Sequence, residues 1–114
     1  MSFRLPQNLS TGLNIETGAS VLDAEILAEK AASLGRAGRL VRQALDDLKA
    51  FDENPDNDTA DPKTANRRQA ALQAATDAVY GYFIQRELCG LMNQDDPIEQ
   101  YAIPREVLAR VGAK

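Results

Sequence analysis

Two groups of residues in this sequence could support chemistry, and the first combines aromatic and charged side chains. It comprises Tyr82, Arg86, Glu87 and Tyr101. A partly buried arginine beside a glutamate could bind a carboxylate or a phosphate, and the tyrosines could line a small pocket. The same residues could instead form an aromatic core anchor in which Arg86 bonds to a backbone oxygen or a carboxylate. Both interpretations stay open at the level of sequence.

The second group is a candidate basic patch for nucleic acid or a phosphate ligand. It comprises Arg36, Arg39, Arg42, Arg67 and Arg68. No aromatic residues interleave with these arginines, which weakens a single-strand-binding interpretation. The net charge is −4, whereas dedicated nucleic-acid binders usually carry a basic surplus. The alternative is a solvated face with ion pairs to neighbouring aspartates.

The sequence contains no histidine and only one cysteine, Cys89. The lack of histidine removes the Ser–His and Cys–His nucleophile systems and the commonest metal ligand. Cys89 has no basic neighbour at helical spacing beyond Arg86, so we predict a small core residue rather than a nucleophile. We therefore predict no catalytic residue and no cofactor. A single cysteine fits a reducing compartment, and no apolar run is long enough to cross a bilayer, so we expect a cytoplasmic protein.

An acidic stretch resembles a calcium-binding loop only in part. Asp52, Asn54, Asp56 and Asp58 occupy alternate positions, as ligands do in an EF-hand loop. Asn57 then stands where glycine is required, and Lys63 stands where the bidentate glutamate belongs. We therefore predict a solvated loop between helices and no metal site.

The elements that must position these residues are two long helices. We predict an irregular arm over residues 1–19 and a long helix over 20–52, with Ser20 as its N-cap. An acidic loop over 53–61 should lead to a second long helix over 62–92, begun by Asp61 and Pro62. A polar turn over 93–103 should precede a short helix over 104–111.

Apolar residues of the first helix repeat in heptads, which is typical of helix–helix packing. The candidate helix-packing face comprises Ala24, Leu27, Ala31, Leu34, Gly38, Val41, Leu45 and Leu48. Gly38 is interpreted as a tolerated surface or crossing glycine, and the alternative is a tight crossing point or a hinge. The short loop predicts an antiparallel hairpin, in which Asp46 and Asp47 would lie near Arg67 and Arg68.

Further apolar residues lie off the heptad rows of both helices. They are Leu22, Ile26, Leu40 and Ala44 on the first helix and Ala71, Ala74, Ala78 and Leu91 on the second. This apolar surface is broader than one neighbouring helix can cover. We therefore predict an all-α fold, a long antiparallel two-helix hairpin with a short C-terminal helix folded onto its open end, and a homodimeric four-helix bundle.

The C-terminal part of the sequence, residues 82–112, resembles the tail of a small uncharacterised bacterial family with a domain-of-unknown-function label. Its most specific parts are Gln85-Arg86-Glu87 with Gly90-Leu91, and Tyr101–Pro104 followed by Val107. The resemblance implies a bacterial source. It supplies no activity, substrate or cofactor.

No activity follows from these patterns, and three functions remain. The preferred one is a non-enzymatic helical interaction protein that self-associates, and that could also bind another protein. The second is a small regulatory nucleic-acid binder that uses the basic patch. The third is a small-ligand binder or enzyme at the open end of the hairpin.

Overall fold

The computed structural model describes residues 7–112 and the side chains of residues 20–112, and within that range the chain is helical without strands. Four helices follow one another: α1 (Gln7–Glu53), α2 (Pro62–Leu88), α3 (Asp95–Gln100) and α4 (Arg105–Gly112). The predicted all-α fold with two long helices is confirmed. The chain divides into two units, Met1–Ala32 and Ser33–Lys114.

Helix α1 begins much earlier than the sequence pattern predicted. The irregular arm assigned to residues 1–19 is wrong from Gln7 onward, and Ser20 lies inside the helix rather than at its N-cap; residues 1–6 lie outside the described part. No proline stands between Pro6 and Pro55 in the sequence, and α1 occupies most of this interval. Proline is tolerated at a helix start but disfavours the helical conformation of the residue before it. The predicted arm contains Gly12 and Gly18, and each glycine inside a helix costs about 1 kcal/mol relative to alanine. The helix nevertheless continues through both positions.

In the Met1–Ala32 unit, every described side chain from Val21 to Ala32 is exposed. The exposed set includes four large apolar residues, Val21, Leu22, Ile26 and Leu27. The heptad residues Ala24 and Ala31 are exposed as well. This segment of α1 is therefore apolar in composition and has no core of its own.

The Ser33–Lys114 unit contains the hydrophobic core. Its buried members are Val41, Leu45, Leu48, Leu72, Ala75, Val79, Tyr82, Ile103 and Val107. Helices α1 and α2 run antiparallel here, because Asp52 near the end of α1 pairs with Arg68 near the start of α2, and Gly38 faces Tyr82. The predicted pairing of Asp46 and Asp47 with Arg67 and Arg68 is therefore wrong by more than one helical turn.

Polar side chains in the loop between α1 and α2 form hydrogen bonds with nearby backbone groups. Asn54 accepts a hydrogen bond from the backbone N–H of Asp56 at 2.9 Å, and Asp58 accepts one from Ala60 at 2.9 Å. Asn57 donates to the carbonyl of Phe51 at 3.1 Å and accepts from Arg67 at 3.2 Å. Arg67 is thus held at the loop, away from the predicted aspartate partners.

The start of α2 follows the predicted capping pattern. Asp61 has an extended backbone, and its side chain accepts from the Lys63 N–H at 3.2 Å, while Pro62 occupies the first turn. Proline has no N–H to leave unsatisfied at that position, so it suits a helix start. The sequence-based N-cap is confirmed.

Helix α2 ends at Leu88, four residues before the predicted end. Gly90, treated above as helix interior, has a φ of +82° and terminates the helix. The N–H of Leu91 donates to the Arg86 carbonyl at 2.8 Å, and the N–H of Gly90 donates to Glu87 at 2.9 Å. These two bonds form a Schellman motif, in which glycine readily adopts the left-handed conformation.

The segment predicted as a polar turn contains the short helix α3, whose six residues are too few to give a periodic signal. The Asn93 side chain accepts from the N–H of Asp95 at 2.9 Å and so satisfies one N–H at the helix start. A second Schellman motif ends α3, with Ala102 at a φ of +50° and the Ile103 N–H donating to Ile98 at 3.0 Å.

Helix α4 packs against α2, and Val107 is fully buried in the contact. Its polar contacts are to residues in the first half of α2: Glu106 pairs with Arg68, and Arg110 donates to Gln73 at 2.6 Å. The expectation that this helix folds onto the open end of the hairpin is therefore wrong. Residues 89–104, which connect α2 to α4, bring α4 back toward the loop between α1 and α2.

Candidate functional site

The two predicted tyrosines of the aromatic cluster are in contact with each other. The rings of Tyr82 and Tyr101 meet edge to face, with centroids 5.4 Å apart and planes at 83°. Tyr82 is 6% exposed and belongs to the core, and Tyr101 is half-buried. The guanidinium of Arg42, on α1, lies 4.8 Å from the centroid of the Tyr101 ring. Three segments, α1, α2 and the α3–α4 connection, therefore meet at this ring pair.

Gly38 makes this meeting possible. A Cβ atom at this position would lie 2.6 Å from Tyr101 Oη and 3.5 Å from Tyr82 Cε1. The first distance is shorter than any real contact, so any larger residue would displace the tyrosine. Of the two interpretations of Gly38, the tight crossing is the one present, and its partner is the Tyr101 hydroxyl.

Burial raises the pKa of Tyr101 above its usual value of 10.0, and a side-chain hydrogen bond and charge interaction with Tyr82 act in the same direction. The positive charges of Arg42 and Arg86 act against this increase and are smaller effects. The phenol therefore stays neutral at physiological pH.

Arg86 and Glu87 have separate partners. Arg86 Nη2 donates to the carbonyl oxygen of Asn93 at 2.7 Å, and its guanidinium carbon lies 6.0 Å from the Tyr82 ring centroid. Glu87 accepts a hydrogen bond from Gln94 at 3.4 Å. Both contacts join the end of α2 to the chain that leads into α3. Both contacts stabilise the change in chain direction after α2. The bond from Arg86 to the Asn93 carbonyl corresponds to the interpretation in which Arg86 bonds to a backbone oxygen.

A cleft of about 340 Å³ lies beside the tyrosine pair in the Ser33–Lys114 unit. Arg42, Lys49 and Tyr101 line it together with the carboxylates of Asp46, Asp52, Glu53 and Glu106. Tyr82 lines a different surface groove on the other side of α1. Each of these two depressions is lined by one of the two tyrosines, and the cleft carries mixed charge.

An ion-pair network that the sequence patterns did not reveal crosses the cleft. Arg68 Nε and Nη2 donate to Asp52 at 2.8 and 3.0 Å, and Arg68 Nη1 and Nη2 donate to Glu106 at 3.0 and 2.9 Å. These hydrogen bonds lower the pKa of both carboxyl groups and raise that of Arg68. Glu106 follows Arg68 by 38 residues, so no local spacing signals the contact.

The residues of the predicted basic patch lie in three places. Arg42 and Arg68 line the mixed-charge cleft, and Arg67 lies 5.9 Å from the Phe51 ring centroid near the loop. Arg36 and Arg39 line a shallow groove with Leu40.

Burial along the predicted helix-packing face changes within α1. Gly38, Val41, Leu45 and Leu48 are buried, and Leu34 is half-buried against the core. The remaining three residues of the face, Ala24, Leu27 and Ala31, are exposed. The heptad pattern therefore located the core contact correctly only from Leu34 onward.

Five of the eight off-row apolar residues of the sequence, Leu40, Ala44, Ala71, Ala74 and Ala78, line a further groove between α1 and α2. It has a volume of about 480 Å³ and lies across the buried stripe from the cleft. Its walls are formed by Leu40, Gln43, Ala44 and Asp47 of α1 and by Ala71, Ala74, Asp77 and Ala78 of α2. Apart from Leu40, its apolar residues are all alanines, and Leu40 is 63% exposed.

Among the described residues, no group of three or more histidine, cysteine or carboxylate side chains could hold a metal ion. None of the helices in that part of the chain combines the length and apolar composition needed to cross a membrane.

Comparison with known proteins gives one match. The sequence model of a protein family described as a family of unknown function (DUF6665) matches residues 1–114. The match confirms the resemblance seen in the C-terminal part and extends it over the whole sequence given. Neither the curated proteins nor the solved structures contain a match to the chain.

Proposed function

We propose that this chain, which belongs to the DUF6665 family of unknown function, is a non-enzymatic helical interaction protein that forms a homodimer in the bacterial cytoplasm. No activity comes with the family, so the proposal depends on the surface of the protein itself.

The observation that carries the proposal is the exposure of large apolar side chains on α1. Val21, Leu22, Ile26 and Leu27 are between 46% and 66% exposed within two helical turns. Each apolar square ångström removed from water contributes about 25 cal/mol, so association that covers such side chains is favourable. Grouped exposure of this kind marks interaction surfaces, whereas isolated exposed leucines do not.

The state of the tyrosine cluster supports a non-enzymatic role. Tyr82 and Tyr101 pack on each other, Arg86 bonds to a backbone carbonyl, and burial raises the pKa of Tyr101. A catalytic phenol would need the opposite shift to act as a base near neutral pH.

The cytoplasmic part of the proposal rests on cysteine usage. Cys89 is the single cysteine of the sequence and is half-buried at the C-cap of α2. An intramolecular disulfide cannot form with one cysteine, which suits a reducing compartment. The bacterial part rests on the family resemblance described above.

Sedimentation velocity of the full chain between about 1 and 100 μM tests self-association. We expect a species with twice the chain mass of 12.4 kDa, in a concentration-dependent equilibrium. The variant Ile26→Lys should weaken self-association, since a charge at this exposed position opposes burial without disturbing the core. A monomer of wild-type protein throughout that concentration range would overturn the proposal.

A further inference from the structure

The alanine-lined groove between α1 and α2 is shaped to receive a side chain from outside the unit. It is lined by Ala44, Ala71, Ala74 and Ala78, whose side chains end at Cβ. Small residues on two adjacent helices leave a depression that larger residues would fill. The nearest large apolar side chain, Leu40, stands at the edge of the groove and is 63% exposed.

This combination is self-complementary. A projecting Leu40 and a depression of alanines lie on the same face, so a two-fold axis would place the leucine of each copy in the groove of the other. In such an isologous contact, each residue pair occurs twice. Each copy therefore buries its exposed Leu40 in this contact.

Charges along α1 select the direction of the contact. Arg36, Leu40, Gln43 and Asp47 follow one another at spacings of four, three and four residues and lie on one stripe of the helix. Arg36 lies on the N-terminal side of Leu40, and Asp47 lies on the C-terminal side. When two copies of α1 pack antiparallel with Leu40 of each beside Gln43 and Ala44 of the other, Arg36 of each copy meets Asp47 of the other. A parallel arrangement would oppose like charges at both ends.

We infer that this groove is the homodimer contact of the Ser33–Lys114 unit, occupied by a second copy of the chain with the two α1 helices antiparallel. The inference rests on the proposed function, because it names a second surface for self-association, in the Ser33–Lys114 unit, in addition to the exposed apolar residues of the Met1–Ala32 unit. Leu40 fills the alanine groove, and the Arg36–Asp47 pairs at both ends of the contact fix its register.

A charge exchange tests this geometry in the full chain. The variant Arg36→Glu would bring two carboxylates together at each end of the contact, and Asp47→Arg would bring two guanidinium groups together there. We expect each variant alone to dimerise at least about tenfold more weakly than wild type. An equimolar mixture restores opposite charges at both ends and should form a heterodimer, detected by native mass spectrometry with one variant carrying a mass tag.

Leucine substitutions test the apolar part of the contact. Leu40→Lys should weaken dimerisation by at least about tenfold. Leu88→Lys is the matched control, since Leu88 is 62% exposed on α2 and does not line the groove, and it should dimerise as wild type does. Circular dichroism confirms that the helices are retained in every variant.

The outcomes separate the two proposals. A wild-type dimer whose association is unchanged by Leu40→Lys and by both charge variants would overturn the groove contact and leave self-association standing. Weakening by the charge variants without heterodimer formation in the mixture would overturn the antiparallel register. A monomeric wild-type protein would overturn self-association itself, and the groove contact with it.

Discussion

Close contact at a single glycine controls how the tyrosine pair packs. Gly38 has no Cβ, which leaves room for the Tyr101 hydroxyl. A Cβ atom at this position would lie 2.6 Å from Tyr101 Oη. The heptad position of Gly38 on an otherwise apolar stripe allowed two interpretations, a tolerated glycine or a close crossing, and the sequence favoured the first. The identity of the crossing residue could not be predicted, since Tyr101 is far along the chain and belongs to no periodic element.

Replacement of Gly38 by alanine should destabilise the protein, although alanine favours helix by about 1 kcal/mol. Displacement of Tyr101 should cost more than this gain, for a net loss of about 1–2 kcal/mol in the free energy of unfolding. Gly81→Ala is the matched control: nothing lies within 4 Å of its Cβ position, so the same change should stabilise. Urea denaturation measures both effects.

A double-mutant cycle identifies the tyrosine hydroxyl as the cause. In a Tyr101→Phe background the 2.6 Å contact is absent, and the next contact is 3.5 Å from Tyr82. Gly38→Ala should then be neutral or stabilising, with a coupling energy of about 1 kcal/mol or more. An equal loss in both backgrounds would show that the cost does not come from Tyr101 Oη.

At the scale of elements, two helices end in the same Schellman motif with different residues. Gly90 ends α2 at a φ of +82°, and Ala102 ends α3 at a φ of +50°. Left-handed backbone costs a residue with a Cβ roughly 1–2 kcal/mol, whereas glycine adopts it freely. The chain is thus well adapted at the first turn and strained at the second.

Reciprocal substitutions should therefore have opposite signs. Ala102→Gly should raise the free energy of unfolding by about 1 kcal/mol, and Gly90→Ala should lower it by a similar amount. Thermal and urea denaturation of the two variants beside wild type measure the difference. Two changes of the same sign would contradict the assignment of strain to Ala102.

Sequence patterns predicted the end of α1, the start of α2 and both ends of α4 to within one residue, whereas the start of α1 and the end of α2 were misplaced. Asp61-Pro62 is a local signal, and it was confirmed because capping involves only residues within one turn. The end of α2 was placed four residues late because apolar Leu91 and Met92 continued the pattern beyond Gly90. The start of α1 was placed late because glycine and polar residues near the N-terminus resembled a loop.

At the scale of the whole molecule, one arginine joins three helices. Arg68 of α2 pairs with Asp52 of α1 and Glu106 of α4, and so fixes α4 to the loop end of the helix pair. Hydrogen bonds from Arg68 lower the pKa values of both carboxyl groups below their unfolded values of 3.8 and 4.5. Their contribution to stability is therefore present above those values and is lost as the pH falls through the lower folded pKa values.

The variant Arg68→Gln should lose about 1 kcal/mol near pH 7, a small effect because the side chains of Asp52 and Glu106 are 43% and 47% exposed. The difference from wild type should shrink as the pH falls below about 4, because protonation removes the ion pairs from the wild-type protein. Urea denaturation at several pH values measures this. Arg105→Gln, with the same charge change at the start of α4, should show no such pH dependence. A difference that stays constant with pH would contradict an ionic role for Arg68.

The sequence alone determined the all-α class, the two long helices, the cap at Asp61 and the buried heptad stripe from Leu34 to Leu48. These features depend on residues within a few turns of one another, where helical spacing fixes which side chains share a face. Only the tertiary structure decided the rest: the Tyr101 contact with Gly38, the Arg68 network and the return of α4 along α2. Each joins residues that are distant in the chain, and their meeting depends on the turns at Gly90 and Ala102, whose geometry no periodicity encodes.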